Sequence, residues 1–253
     1  FDLRMGAGGL AKGLRGRSFK VSMVVESISM HILRSCGLPL TNRLMAAGGR
    51  FYLLLPNVDR THEALESTRR ELDRWSVENT EGELRFNLAQ VELAEDDLGN
   101  FSQALGKVNH ELHSQKQKAL STKLTQSNWA KDAFVLPVLE IADEESICKS
   151  CLKKAGEPKG RGGAAICQSC QDDRLLGGWL PKSNLLAFSE EEGALRIPYG
   201  DCKLHEGWQS DIRNAYITLD MVGDQSPPPD LASLRAFYAG YIPTNGEGDP
   251  LTF

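Results

Sequence analysis

The chain has no long apolar run and no evident secretory signal. Its longest apolar stretches, such as FYLLLP at residues 51–56, are far shorter than the ~20 residues that a helix needs to cross a bilayer. A protein without a signal or an anchor is expected to stay in the cytoplasm, where thiols remain reduced. These absences predict a cytoplasmic protein that does not contact a membrane.

A strong excess of one charge is also missing, since the net charge of the 253 residues is only −5. The hydrophobic content of 41% and the charged content of 25% indicate a soluble globular chain of one large or two modest domains. A mildly acidic protein is not a general binder of nucleic acids. Two segments, 1–20 and 148–170, are basic in spite of this, so each is either a solvated surface or a contact with phosphates.

Four cysteines form the most informative pattern in the sequence. Their spacing is C-x2-C-x15-C-x2-C, and two such knuckles supply the four thiolates of a tetrahedral Zn²⁺. The segment between the pairs is rich in glycine and poor in apolar residues, so it needs the metal to hold its structure. We therefore predict a closed structural zinc site, with a disulfide pair or free thiols as the alternatives. The predicted ligands are Cys148, Cys151, Cys167 and Cys170.

Hydrophobic patterning in the first half predicts a buried helix, a hairpin, two further helices and a strand. Residues 18–34 are apolar on more than one face, which indicates a helix buried on most sides, and Gly37 supplies its C-cap. The strand-like runs that follow meet at Gly48 and Gly49, which favour the positive φ values of a tight hairpin turn. The later elements are a helix capped by Asp59, a strand at 85–93 and a second long helix over 98–112.

This order is that of a ferredoxin-like βαββαβ unit, the core of polymerase and cyclase palms, without its first strand. The predicted fold class is α+β: a ferredoxin-like (RRM/palm-type) domain at residues 1–125, followed by a small α+β linker domain with the four-cysteine zinc site at residues 126–253. Short strands are predicted within LLGGWLPKSNLLAF, residues 175–188, and in the runs that follow as far as Met221. Because the sequence opens without an initiator methionine, we expect a piece of a larger protein.

Four segments together resemble a known protein family. They are AKGLRGRSFKVSMVVE, GLPLTNRLMAAGGRFYLLLPN, the double C-x-x-C followed by LGGWLPKSNLLAF, and AGYIPTNGEGDPLTF. In this order they are similar to the large subunit of type III-A (Csm) CRISPR effector complexes, the polymerase-like protein known as Cas-ten. The resemblance extends over nearly the whole chain.

The resemblance implies a role in antiviral defence. In that family an HD nuclease domain precedes a first palm, a zinc-bearing linker and a second palm with a GGDD motif. The complex, guided by CRISPR RNA and triggered by target RNA, cleaves single-stranded DNA and makes cyclic oligoadenylates from ATP. This chain would correspond to the first palm and the zinc linker. The implied partners are other type III effector subunits, CRISPR RNA, target RNA, and the HD and second palm domains of the same protein.

Two absences limit the activity that the resemblance implies. No His-Asp dipeptide occurs in the sequence, and the turn Gly48–Phe51 contains no acid, whereas a palm cyclase needs paired carboxylates there to hold two divalent cations. We therefore predict no catalytic residue, and Mg²⁺ or Mn²⁺ binding only together with the second palm. The chain alone is expected to be inactive.

A nucleotide pocket for ATP is the contribution that remains. Gly48 and Gly49 would let the backbone approach a ligand closely. The LRGRS segment would place Arg15 and Arg17 near phosphates, with Ser18 as the cap of the buried helix and a further phosphate contact. The alternative is a plain hairpin turn with two exposed arginines. For the whole chain, the alternative function is a purely structural zinc-containing scaffold or a nucleic-acid-binding module.

Overall fold

A computed structural model describes seven stretches of the chain, which are residues 9–124, 146–158, 163–183, 185–189, 195–205, 217–220 and 233–235. The chain divides into two compact units. Unit 1 comprises Phe1–Ser27, Ala47–Gly49 and Leu139–Phe253, and unit 2 comprises Ile28–Ala46 and Arg50–Val138. Across the described stretches, no helix is long and apolar enough to pass through a membrane. The predicted domain boundary at residue 125 lies outside the described residues.

The first helix, α1, extends over Leu10–Cys36 and confirms the predicted buried helix. Its C-terminal end has the predicted glycine cap, since Gly37 adopts a φ of 71° and its amide bonds to the carbonyl of Arg34. The apolar side chains of the helix are almost fully buried, with exposures between 0% and 3% for Met23, Val24, Ile28, Ile32 and Leu33. Burial of this set accounts for the helix, because its intrinsic preference is weakened by β-branched residues.

The predicted hairpin is also confirmed. Strand β1 covers Arg43–Ala47 and strand β2 covers Arg50–Leu53, and together they form a two-stranded sheet. The turn consists of Gly48 with a φ of 59° and Gly49 with a φ of 81°. Two successive positive φ values match the right-handed twist of the strands, and glycine adopts them without steric cost.

The helices of unit 2 differ in detail from the prediction. Helix α2 covers Asp59–Thr80, but Val58 occupies its N-cap position, so the expected cap by Asp59 is wrong. The predicted second long helix is interrupted at Asn100, whose φ of −127° and ψ of 63° are not helical. The resulting elements are α3 at Glu95–Gly99, α4 at Phe101–Gln117 and the short α5 at Ser121–Leu124.

The strand predicted at 85–93 is wrong, because this segment belongs to no sheet. It lies along α2 instead. The rings of Phe86 and Trp75 meet edge to face at 5.8 Å, and Nη2 of Arg69 donates to the carbonyl of Leu88 at 3.2 Å. Contacts with side chains of α2, and not pairing with a neighbouring strand, therefore hold this segment in place. The ferredoxin-like arrangement of the first palm remains a prediction.

Unit 1 contains a two-stranded and a five-stranded sheet, with the helix α6 at Gln168–Trp179 between them in sequence. The small sheet pairs β3 at Glu157–Pro158 with β4 at Ala165–Ile166. The large sheet has the order β6-β7-β5-β8-β9 and is antiparallel except for the pair β8 and β9. Its strands are β5 at Leu185–Ser189, β6 at Leu195–Ile197, β7 at Gly200–His205, β8 at Ile217–Asp220 and β9 at Ser233–Arg235.

The expectation of strands throughout 175–188 is wrong, because the first part of this segment belongs to helix α6. The first part of that segment is helical as far as Trp179, because Leu176 and Gly177 are buried on one side of α6 while Leu175 is exposed. Among the residues of this segment that the structure describes, a strand begins at Leu185 and continues to Ser189. The mixed helix and sheet content agrees with the predicted α+β class.

Candidate metal centre

The first C-x-x-C pair lies in a tight loop that backbone hydrogen bonds define. The amide of Cys148 donates to the carbonyl of Lys154, and the amide of Leu152 donates to the carbonyl of Cys148, each at 2.9 Å. Leu152 has a φ of 57°, which reverses the chain so that Ile147 can pair with Ala155. The loop thereby brings both ends of the first knuckle together.

The second C-x-x-C pair lies at the start of α6. Cys167 occupies the N-cap position and Cys170 lies in the first turn, where the amide of Gln171 donates to the carbonyl of Cys167 at 3.0 Å. The amide of Lys149 donates to the carbonyl of Ala165 at 2.8 Å and so connects the first knuckle to β4, just before the second. Helix geometry fixes one thiol pair and backbone pairing places the other beside it.

The four cysteines form one cluster in which all sulfur atoms lie within 4.8 Å of one another. Cys148, Cys170 and Cys167 are 0%, 2% and 5% exposed, and Cys151 is half-buried. All are free thiols, and the sulfurs of Cys151 and Cys167 are 3.8 Å apart, far beyond the ~2.05 Å of a disulfide. Such a set could hold one metal ion, and four sulfur donors fit the closed tetrahedral site of Zn²⁺.

The thiols of the cluster have opposed acidities. Burial raises the pKa of Cys148, but backbone N–H groups from both knuckles donate to its sulfur and bring the pKa down to about 6. Burial raises the pKa of the Cys167 thiol and of the Cys170 thiol above the ordinary value. Neighbouring thiolates repel one another at these distances, so complete ionisation of the cluster requires a cation among the sulfurs.

Two polar side chains donate hydrogen bonds to the sulfur of Cys170. The side chain of Ser150, which is 3% exposed, hydrogen-bonds to it. Nη2 of Arg17 donates to the same sulfur at 3.2 Å, and Nε of Arg17 donates to Oδ2 of Asp173 at 2.7 Å. Burial disfavours the charge of Arg17, but the hydrogen bond to Asp173 together with the attraction of its carboxylate and of the neighbouring sulfurs outweighs this, and the pKa of the guanidinium is raised.

The nucleotide-binding candidates of α1 contact α6. Arg15 donates from Nη1 to the carbonyl of Gly177 at 3.1 Å, and Arg17 binds Asp173 and Cys170 as described. Ser18 is exposed and lies inside the helix, because α1 begins at Leu10, so the expected cap by Ser18 is wrong. The contacts of these residues with a nucleotide remain a prediction.

Gly48 and Gly49 are both exposed at the tip of the hairpin. A Cβ on Gly49 would lie 3.2 Å from Cγ1 of Val21, whereas a Cβ on Gly48 would meet nothing within 4 Å. Val21 is one helical turn beyond Arg17 on α1, so the hairpin tip and the arginine occupy one side of that helix. The structure therefore brings part of the predicted candidate set together.

Sequence analysis missed Asp173, Ser150 and Gly177. Asp173 lies 156 positions from Arg17, and no spacing rule connects two residues so far apart. The available signal was local: Asp173 is three residues after Cys170, so on a helix capped by Cys167 it lies on the same face as Cys170.

The long helix, the mixed sheet and the two C-x-x-C knuckles define an α+β protein with a candidate metal site. The family model described as Csm1 subunit domain B matches residues 5–131. The chain therefore belongs to the Csm1 family, the Cas10-type subunit of subtype III-A CRISPR systems.

Relatives and solved structures agree with this family. The single-strand-specific deoxyribonuclease Cas10/Csm1 of Mycobacterium tuberculosis is 38% identical over 90 residues, which cover 36% of this chain and 11% of that protein. The corresponding protein of Enterococcus italicus is 31% identical over 152 residues, or 55% of this chain and 20% of that one. The chain thus spans only a small part of these relatives.

The fold is similar to that of Csm1 in crystal structures. A Csm1-Csm4 cassette in complex with one ATP has a TM-score of 0.64 at 19% identity, with 99% of this chain and 30% of that chain covered. Csm1 of Thermococcus onnurineus has a TM-score of 0.60 at 18% identity, with 97% and 28% covered.

Proposed function

We propose that the chain is the non-catalytic first palm and zinc linker of a type III-A large subunit. In this role it contributes to ATP binding for cyclic oligoadenylate synthesis and to assembly with guide RNA and partner subunits. The observation that carries the proposal is the hairpin turn Gly48–Phe51, which lies within the part that matches domain B and contains no carboxylate. A palm without those acids cannot hold the two cations of a nucleotidyl transfer.

The metal of the proposed linker is structural zinc. Four thiolates are soft ligands that select Zn²⁺ over Mg²⁺ and Mn²⁺, and a closed set leaves no position for a reactive water. Divalent cations for chemistry would come with the second palm.

The proposed partners follow from the neighbouring structures. Those structures are of Csm1 with Csm4 and, in different complexes, with ATP or with cA3. We propose that this chain assembles with a Csm4-type subunit and, in the complete effector, with CRISPR RNA, target RNA and the HD and second palm domains. The proposed cellular site is the cytoplasm.

The test of the nucleotide proposal is titration of ATP into this chain joined to its second palm. We compare the parent with Arg15→Ala, Arg17→Ala and Gly49→Val, and use Arg70→Ala on α2 as a control for loss of an exposed charge. Loss of a shielded charge-assisted bond is worth roughly 1.5 to 3 kcal/mol, so each arginine variant should bind ATP about tenfold more weakly or worse. If all three variants bind ATP as the parent does, the nucleotide pocket does not include these residues.

A structural scaffold is the second candidate, and one observation favours it. Arg15 and Arg17 both donate to α6, so their hydrogen bonds already serve the contact between two helices. The zinc content of each variant separates the two candidates. If ATP binding falls only in variants that lose zinc, the arginines act through the fold.

A further inference from the structure

The guanidinium of Arg17 connects a carboxylate to a candidate metal ligand. Nε donates to Asp173 at 2.7 Å while Nη2 donates to the sulfur of Cys170 at 3.2 Å. The side chain of Arg17 is 20% exposed and that of Asp173 is 8% exposed, so the pair is largely shielded from water. A planar guanidinium can hold both bonds at once, whereas an ammonium presents a single point of charge.

The charge of the sulfur cluster explains why such a donor is useful there. Four thiolates around a divalent cation leave about two negative charges in a buried place. Hydrogen bonds to the sulfurs disperse that charge, and outer donors also fix the orientation of the ligands. Arg17 supplies a charged donor to Cys170, and Asp173 holds the guanidinium in its orientation.

The backbone of α1 holds Arg17 at this place. Its neighbour Gly16 approaches the carbonyl of Asp173 so closely that a Cβ there would lie 2.0 Å from the oxygen. Arg15, on the other side, donates to the carbonyl of Gly177. The position of the guanidinium therefore depends on the contact between α1 and α6, and α6 in turn begins at a candidate metal ligand.

We propose that Arg17 is a positioning residue of the metal centre, which links occupancy of the four-cysteine site to the docking of α1 on α6. The inference rests on the proposed zinc site. It adds that the metal stabilises a helix located far upstream in sequence, in the part that matches domain B, and not only the two knuckles.

The test measures zinc affinity by competition with a chelator and records the sulfur-to-metal charge-transfer bands after substitution by Co²⁺. The full chain is compared with Arg17→Met, Arg17→Lys and the control Arg70→Met. The control also removes one arginine charge, but Arg70 is exposed on α2 and belongs neither to the contact between α1 and α6 nor to the cysteine cluster. Loss of an outer-shell partner typically weakens metal binding by about 10- to 100-fold.

We expect Arg17→Met to lose zinc affinity in that range and to shift the charge-transfer bands. Arg17→Lys should recover only part of the loss, and Arg70→Met should bind zinc within about threefold of the parent. Equal affinities and unchanged bands for Arg17→Met and the parent would overturn the inference while leaving the zinc site intact. A parent that binds no metal would overturn the zinc proposal itself, and the inference with it.

Hydrogen exchange provides a second readout that does not depend on affinity. Removal of zinc from the parent should increase exchange in the N-terminal half of α1 as well as in the knuckles, because the docking contact depends on α6. In Arg17→Met, removal of zinc should change exchange in the knuckles much more than in α1. If removal of zinc from the parent leaves hydrogen exchange in α1 unchanged, the proposed link is contradicted.

Discussion

Gly16 of α1 and Gly177 of α6 form a backbone-to-backbone contact that leaves no room for a side chain at either position. A Cβ on Gly177 would lie 1.8 Å from the carbonyl oxygen of Lys12, and one on Gly16 would lie 2.0 Å from that of Asp173. Both obstacles are main-chain atoms, which cannot rotate away. The two helices must separate before either glycine can be replaced.

Gly16→Ala is therefore expected to lower the free energy of unfolding by about 1–3 kcal/mol or more, because overpacking forces the helices apart. Urea unfolding at a fixed excess of zinc measures the change. Gly106→Ala is the matched control, since Gly106 lies in α4 with nothing within 4 Å of an added Cβ. There alanine should stabilise the protein by up to about 1 kcal/mol. Equal effects of the two substitutions would contradict the close contact.

Cys167→Ser is expected to abolish tight metal binding and to disorder both knuckles. The parent should contain one zinc per chain, because a single four-sulfur cluster occurs in the part of the chain that the structure describes. Serine keeps the size of the side chain but replaces a thiolate by a poor zinc ligand. Elemental analysis after purification without chelators gives the metal content.

The control for this substitution is Cys36→Ser. Cys36 is half-buried at the C-terminal end of α1 and does not belong to the cluster. It should retain one zinc per chain. A parent with almost no metal, or a Cys167→Ser protein with intact knuckles, would refute the structural zinc site.

His31 should make stability depend on pH. Its pKa lies below the ordinary 6.5, because burial disfavours the charged ring more than Glu71, at 3.8 Å, favours it, and Arg34 lowers the pKa further. The unfolded chain therefore binds the proton more readily than the native one. The contribution of neutral His31 is complete above the unfolded pKa of 6.5 and is lost as the pH falls below it.

The measurement is urea unfolding of the parent and of His31→Gln between about pH 8 and about pH 5. The stability of the parent should fall more steeply toward acid than that of the variant. His110→Gln, which alters an exposed histidine of α4, should follow the parent. Parallel curves for the parent and His31→Gln would show that protonation of this ring costs nothing.

The chain alone is expected to have no catalytic activity. It should neither cleave single-stranded DNA nor convert ATP to oligoadenylates with Mg²⁺ or Mn²⁺, because it contains no His-Asp pair and no acid at the hairpin turn. Nuclease and cyclase assays on stringently purified protein are the measurement. Metal-dependent turnover that co-purifies with the chain and persists would disprove the non-catalytic palm.

Local chemistry made several elements predictable from sequence. The apolar faces of α1 and the paired glycines at Gly48 and Gly49 each determine a conformation by themselves, and both elements formed as expected. The C-x-x-C spacing similarly predicted the cluster of four sulfurs. In the helix, in the turn and within each C-x-x-C pair, the residues that decide the structure are neighbours or lie one helical turn apart.

Elements that depend on distant partners were not predictable in this way. Apolar and polar residues largely alternate over 85–93, as they do in a strand. A strand also needs a neighbouring strand to pair with, and this segment instead contacts Arg69 and Trp75 of α2. The contact of Arg17 with Asp173 likewise depends on the approach of α1 to α6. Nothing in the local sequence of either segment identifies its distant partner.

The discontinuity of unit 1 determines when its parts can meet during synthesis. Arg17 leaves the ribosome 156 residues before Asp173, which at about 5 to 20 residues per second is a delay of roughly 8 to 30 seconds. Throughout that interval, the first half of α1 has been synthesised, but α6, against which it packs, has not. A nascent chain in this state exposes the apolar side of the helix, and unit 1 cannot be completed until the segment with the four cysteines and the strands that follow it have been synthesised.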